Sequence, residues 1–486
     1  MLFTQDALHY AQAIKQGRVT VLELVERALH NIEQLNPTLN AVSVVQAQSA
    51  RELAAQYDAH FQTLSAAQKE QLPTFWGVPI LLKDLGQHQA GERSTEGSAL
   101  FQDFRSAHTD CFVQAIEAAG FVVVGRTNTP EFGFKNISDS HANGAVNLPL
   151  DVTRNAGGSS GGAAAALSAG IVPIVTASDG GGSIRIPASF NGLIGLKPSR
   201  GRIPVGKGSY RGWQGSSVNF ALTKSVRDTW ELLKCLQTEQ YEAPFMVPKI
   251  PQTTLCPLDR PLRIAYSTQP PIDVPVSERA IQAVQQTVER LRQLGHIVVE
   301  AAPNIDGKTA WDDYFVVNGV ETAAMFYGIE QQLQRPLTVN DVEWTTWAIY
   351  QLGLSVSAVD YSRLLARYDK LSAQLHDFYD TFDVWLVPSA SDVAPLHQSL
   401  DMDKAIRPSA SAIEQLTFSE KLALIWKMFD KGMTLTPFNF LQNIAGQPSI
   451  SLPTYTAPNG LPIGAQFSAA KGQEYVLLQL AQQLGY

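Results

Sequence analysis

The spacing of hydrophobic positions changes along the chain. From Thr20 to Asn36, Val21, Val25, Ala28, Ile32 and Leu35 recur every three to four residues, which predicts an amphipathic helix. Thr20 and Glu23 have the offset of a capping box that would start it. A shorter helix is expected from Thr4 to a stop at Gly17, and a Gln- and Ala-rich stretch, roughly 46–71, continues the helical region up to Pro73. Val78 to Leu82 and Phe121 to Val124 are instead short apolar runs of the buried-strand kind, separated by a helical Cys111 to Ala119. Leu262 to Tyr266, a helix from Ser277 to Leu294, and Ile297 to Val299 form a second strand, helix, strand unit. Such alternation predicts an α/β layered fold. No fixed-period repeat, low-complexity tract or Gly/Ser linker divides the chain, so residues 1–486 are expected to form a single domain. Within it, 1–72 is helical, 75–215 is a core, 230–430 is more helical and aromatic, and 431–486 returns to the core.

Composition narrows the function classes. The 486 residues are 45% apolar and carry 37 basic against 45 acidic side chains, a net charge of −8 with no lysine/arginine block. The phosphate-neutralising surface of a nucleic-acid binder is therefore not expected. Met1 to Asp6 show no basic segment followed by an apolar run, and the apolar stretch Ala163 to Ala177 is interrupted by Gly170 and Pro173, so neither secretion nor a membrane span is expected. Cys111, Cys235 and Cys256 fit neither a disulfide framework nor a zinc knuckle, and His-Glu-x-x-His does not occur. A reducing, cytoplasmic compartment and no bound metal or other cofactor are expected.

The chemistry concentrates in the middle third. Gly157-Gly158-Ser159-Ser160-Gly161-Gly162 is followed by Ala163 to Ala166, and a second loop runs Ser178-Asp179-Gly180-Gly181-Gly182-Ser183-Ile184-Arg185-Ile186-Pro187. Glycine lets successive N–H groups converge on one point, as anion and oxyanion sites require; the plainer reading is two tight turns flanking a small-residue helix. Neither loop has the Gly-Lys-Ser/Thr of a P-loop. Asp151 to Asn155 reads as a turn, so the strand that a dinucleotide fingerprint or a nucleophile elbow needs is not expected. His296, His376 and His397 lie downstream in ordinary structural or surface contexts, and Ser468-Ala469-Ala470-Lys471 lacks the companion motifs of penicillin-interacting enzymes. Lys83 ends the apolar run Gly77 to Leu82, where an ammonium is costly to bury unless paired or neutral. A neutral lysine is a base; the alternative is a strand-end lysine reaching solvent or pairing with Asp84.

In order and spacing, Gly77-Val78-Pro79 through Lys83-Asp84, the 157–162 loop, and Asp179 to Pro187 with Gly192 to Pro198 resemble the amidase signature family of serine amidohydrolases. Thr223 to Asp228, Phe382 to Pro388, Asn443 to Pro448 and Gly460 to Gln466 extend the resemblance over essentially the whole chain. It implies a mixed, mostly parallel central sheet between helical layers. It also implies a Ser-Ser-Lys triad of Lys83, Ser159 and Ser183, the two serines standing 24 residues apart as in the family. Ser183 would be the nucleophile and Ser159 the bridge, with a cis peptide between Gly158 and Ser159. Backbone N–H groups of Gly180, Gly181, Gly182 and Ser183 would hold the oxyanion, in a loop made looser by Gly180, where relatives usually carry another residue. Asp179 and Arg185 are expected as an ion pair supporting that loop.

The resemblance implies a small-molecule amide substrate; with the charge and hydropathy reading above, neither nucleic acid nor membrane is expected as partner, and homo-oligomerisation is left open. By position, Glu131 to Asn147 is expected to line the pocket. A weaker resemblance, through Val342 to Ala348 and Val359 to Tyr361, points to the 6-aminohexanoate cyclic dimer hydrolase subgroup. The alternative is the glutamine-hydrolysing amidase subunit of a tRNA-dependent amidotransferase. Favouring an enzyme that acts alone is the aromatic insert Trp311 to Tyr361, which could cover a pocket or simply be core.

Overall fold

The computed structural model describes residues 1–401 and 407–486. Eleven strands form a central sheet: β1 (Val42–Val45), β2 (Pro79–Lys83), β3 (Val122–Thr127), β4 (Val175–Asp179), β5 (Ile194–Lys197), β6 (Val218–Thr223), β7 (Arg263–Tyr266), β8 (Ile297–Glu300), β9 (Val384–Pro388), β10 (Ser449–Thr456) and β11 (Pro462–Ser468). Their spatial order is β1-β3-β2-β4-β6-β5-β10-β11-β9-β7-β8. The sheet is mixed, as expected. Parallel pairing occupies two blocks, β3-β2-β4 and β9-β7-β8, while the strands between them pair antiparallel. The connections explain this. The helices Cys111–Ala118 and Glu278–Gln293 carry the chain from β2 to β3 and from β7 to β8, as a parallel crossover requires, whereas β10 and β11 adjoin through a short loop.

Local signals placed most of these elements. The helix Val21–Leu39 begins at a complete Thr20/Glu23 capping box and buries Val21, Leu24, Val25, Ala28 and Ile32. The 46–71 region divides into Ala47–Thr63 and Ala66–Glu70, because Ser65 starts a second capping box with Gln68. The short edge strand β1 went unassigned in the periodicity; antiparallel pairing with β3 creates it. Asp151–Asn155 is a strand and not a turn: it pairs antiparallel with Asn147–Leu148 in a two-stranded ribbon outside the main sheet. Asp, Thr and Asn suggested a turn, and the cross-strand partner outweighed that local preference.

Apolar packing falls into two main clusters. One joins the N-terminal helices to β2, β3, β4 and the C-terminal helix. The other gathers Trp311, Phe315, Trp344, Trp347 and Phe438 from the 307–445 region. Because β2, β3 and β4 run parallel, their C-terminal residues Lys83, Thr127 and Asp179 lie along one edge, and there the polar residues of the motifs converge. Among the described residues, no helix is long and apolar enough to cross a membrane.

Candidate active site

All five residues of β2 are buried, and Lys83, its last, is 0% exposed. Its Nζ donates to Ser159 Oγ at 2.7 Å and to Ser178 Oγ at 3.0 Å. Its main-chain N–H is held by Gln87 Oε1 and Thr176 Oγ1, both at 2.9 Å. Burial is the largest influence on the amine and brings its pKa from 10.5 down to about 7, even though Asp179 and Glu96 attract the charged form. A lysine so placed is partly neutral near pH 7 and can accept a proton. Ser178 opens the second glycine loop, and no role follows for it from the sequence alone. Thr176 and Ser178 stand two apart on β4, so they share the sheet face that meets Lys83, and two hydroxyls alternating within a buried strand were the available signal.

Ser159 reaches Lys83 from the 157–162 loop, where the Gly158–Ser159 peptide is cis, as the family resemblance implied. Its carbonyl accepts from Thr129 Oγ1 at 3.0 Å and Ser138 Oγ at 3.3 Å, while Gly157 N–H donates to Asn155 Oδ1. A Cβ at Gly158 would lie 2.6 Å from the backbone of Ile137, so close packing requires glycine there. The helix Gly161–Ser168 follows directly. A strand does precede the loop, against expectation, but it belongs to the side ribbon, and Ser159 meets a lysine instead of a histidine. His296 is engaged elsewhere, accepting from Leu262 N–H and contacting Gln483.

Asp179 and Arg185 are both fully buried and form a bidentate pair: Nη2 to Oδ1 at 2.9 Å and Nε to Oδ2 at 3.0 Å. Burial alone would raise the Asp179 carboxyl, but Arg185 outweighs it and holds the group well below the carboxylate range. The same carboxylate accepts from Gly182 N–H at 2.7 Å and Ile184 N–H at 3.1 Å, shaping the second loop. One of the four anticipated oxyanion donors therefore already has an acceptor. Gly182 N–H is committed to Asp179, leaving Gly180, Gly181 and Ser183 as oxyanion candidates. Tyr314, from the helix Gly307–Leu333, donates its hydroxyl to Gly180 O at 3.1 Å, and a side chain at Gly181 would collide with it. Nothing local in the sequence connected this tyrosine to a loop 134 residues away.

Ser159, Ser178 and Ser183 share one cavity of about 600 Å³ with Gly180 and Gly181. Phe132, Phe134 and Asn136 also line it, as anticipated for 131–147, and Trp311, Phe315 and Ile349 come from the aromatic insert. Lys135 ties the 131–147 loop to the insert through Glu343 at 2.8 Å and to its own Asp139 at 3.1 Å. Metal ligation was not expected from motifs, yet among the described residues one group, His88, His108 and Asp110, could hold an ion.

Residues 23–478 match a family model described as Amidase. The chain is 36% identical over 478 residues to a lipoamidase of Enterococcus faecalis, covering 98% of this chain and 62% of that protein, so it spans less than two thirds of that relative. It is 30% identical over 499 residues to the 6-aminohexanoate-cyclic-dimer hydrolase of Paenarthrobacter ureafaciens, covering 99% and 94%. A solved structure of 6-aminohexanoate cyclic dimer hydrolase complexed with substrate superposes with a TM-score of 0.85 at 29% identity, covering 99% of this chain and 96% of that one.

Proposed function

This chain belongs to the amidase family of carbon–nitrogen bond hydrolases, and from that premise we propose that it cleaves amides bearing an extended aliphatic or aryl acyl group through an acyl-enzyme on Ser183. Ser183 attacks the carbonyl carbon, and its proton passes through Ser159 to neutral Lys83. N–H groups of Gly180, Gly181 and Ser183 receive the oxyanion. On collapse, Lys83 returns the proton through Ser159 to the departing amine, and water then releases the acid by the same relay. The observation carrying this reading is the Lys83–Ser159 contact of 2.7 Å at the foot of a cavity walled by aromatic and aliphatic side chains.

The cavity supports the choice of substrate. Its aromatic and aliphatic walls favour a hydrocarbon acyl chain, whereas free glutamine would call for unengaged groups facing its ammonium and carboxylate. The charged residues Glu96, Asp110 and Lys135 also line the cavity, but Glu96 and Asp110 are paired with His88, and Lys135 with Asp139 and Glu343. The names lipoamidase and 6-aminohexanoate-cyclic-dimer hydrolase also point to flexible aliphatic chains. The test is to offer the purified chain glutamine and a graded set of aliphatic and aryl amides, recording turnover and the mass of the intact protein. A covalent adduct equal to the acyl group, absent in Ser183→Ala, is expected with the longer amides. Cleavage of glutamine alone would instead support the amidotransferase-subunit reading.

A further inference from the structure

A second cluster lies at the rim of the cavity, apart from the lysine and serines. His88 follows β2, while His108 and Asp110 precede the helix Cys111–Ala118. The two imidazole rings stand nearly perpendicular, 83° apart with centroids at 5.9 Å. His88 Nδ1 lies 3.5 Å from Asp110 Oδ2, and His108 Nε2 lies 3.3 Å from Asp110 Oδ1. Both nitrogens are buried, yet neither makes a hydrogen bond to a described residue. Two buried ring nitrogens facing one carboxylate without hydrogen-bond geometry is an arrangement that asks for a shared partner.

We propose that His88 Nδ1, His108 Nε2 and an Asp110 carboxylate oxygen bind a divalent transition-metal ion of the zinc class. Three observations carry this. The donors are close to the spacing of a site: bonds of about 2.0–2.1 Å in a tetrahedral site place ligand atoms roughly 3.3 Å apart. The two ring nitrogens stand 3.5 and 3.3 Å from Asp110 oxygens, and all three donors lie within 4.8 Å of one another, so the side chains have to draw together on binding. The three donors also surround a common point. A Cβ built at Gly208 would stand 3.6 Å from Asp110 Oδ1, 3.7 Å from His108 Nε2 and 3.9 Å from His88 Nδ1, so the three donors face the space that this glycine leaves open. Finally, the outer contacts are those of a supported site. The far nitrogen of His88, Nε2, is 2.8 Å from Glu96 Oε1, which orients the ring, and Asp110 accepts from Gly208 N–H at 3.0 Å and His88 N–H at 2.9 Å.

Two imidazoles and one carboxylate are a borderline donor set that prefers zinc, cobalt or nickel to magnesium or calcium. His88, Asp110 and Gly208 also line the cavity, so the proposed site adjoins it. The site does not depend on the proposed amide chemistry, and its test requires no turnover.

The full chain, freed of metal by a chelator and dialysed, is titrated with zinc and separately with cobalt, following bound metal by elemental analysis and the ligand-field absorption of the cobalt form. One equivalent of each is expected, with the strong visible bands of a tetrahedral site. His108→Ala should weaken binding at least a hundredfold. Glu96→Gln should weaken it about 10- to 100-fold while leaving every ligand in place. His376→Ala, at an exposed histidine, should change nothing. Circular dichroism and gel filtration of each variant establish that it is folded, and Glu96→Gln keeps the test decisive should His108→Ala fail to fold. Sub-stoichiometric metal in the wild type, or equal affinity in the wild type and both cluster variants, would overturn the proposal.

Discussion

Between Lys83 and Arg185, the floor of the cavity is held by directional contacts: Lys83, Ser178, Asp179 and Arg185 each have hydrogen-bond partners within about 3 Å. The cover, from Trp311 to Phe440, has polar ties such as Arg367–Asp313 and Thr346–Glu131, but much of its packing is of rings. Trp311 stacks on Phe440 at 4.0 Å and Phe326 packs on Tyr350 at 4.8 Å, while the indole N–H groups of Trp311, Trp344 and Trp347 have no hydrogen-bond partner among the described residues. A hydrogen-bonded floor tolerates little change, since deleting one atom strands a buried partner. A ring-packed cover tolerates volume-conserving change and alters shape instead. Reaction rate should therefore depend on the floor and substrate range on the cover, and each substitution below tests that division.

The sharpest separation comes from Ser183→Ala, which should lower kcat about 10⁴-fold or more on every amide, measured by amine release, because it removes the proposed nucleophile. An amide still hydrolysed at near-normal rate would mean that the floor is not where the chemistry occurs. Next comes Lys83→Arg, expected to cost about 10²- to 10⁴-fold, the range for losing a general base. Arginine stays protonated and cannot take up the proton. The same base sets the pH profile. Burial lowers the Lys83 pKa from 10.5 to about 7, and the neutral form is the active one, so kcat/KM should rise with pH through about 7 and level off above it. A profile flat from pH 5.5 to 9 would remove Lys83 from the proton relay.

The two regions also differed in how far the sequence revealed them. Lys83, Ser159, Ser183, Asp179 and Arg185 were singled out because they stand in short motifs that resemble a known family, and the Lys83–Ser159 and Asp179–Arg185 contacts are present in the structure. The buried run before Lys83 and the capping box at Thr20 were read from the same short range. What stayed hidden depends on distant segments meeting. Ser178 faces Lys83 only because β2 and β4 are neighbours, and Asp151–Asn155 is extended only because Asn147–Leu148 pairs with it. His88, His108 and Asp110 match no ligand motif, and the cover's aromatics could equally have been core until the cavity was seen beneath them.

Tyr314 joins the two regions, and its removal should have an intermediate effect. It belongs to the cover helix Gly307–Leu333 but donates to Gly180 O beside the proposed oxyanion site. Tyr314→Phe deletes one hydrogen bond and keeps the ring against Trp311 and Phe440. The loss of about 1 kcal/mol of loop ordering should lower kcat roughly 5- to 10-fold, equally for short and long acyl groups. A loss that varied with acyl length would place Tyr314 functionally in the cover.

The smallest effect is expected from Trp311→Phe, within the cover. The substitution shortens a side chain that lines the cavity while keeping an aromatic face for Phe440. It touches none of the contacts of Lys83, Ser159 or Asp179, so turnover of an amide with a short acyl group should stay within about twofold of wild type. Space is added at the wall, and a pocket that gains or loses a methylene-sized contact discriminates by about 1–3 kcal/mol at most. Long or bulky acyl groups should therefore change in kcat/KM by several-fold relative to short ones, mainly through KM, because the altered contact is made equally in the ground and transition states. Measuring kcat and KM across a homologous series of acyl chains separates the outcomes. A length-dependent KM at constant kcat is what a shape-setting cover produces, whereas a uniform fall in kcat would show that the ring packing also holds the floor in place and that the two regions do not divide the work.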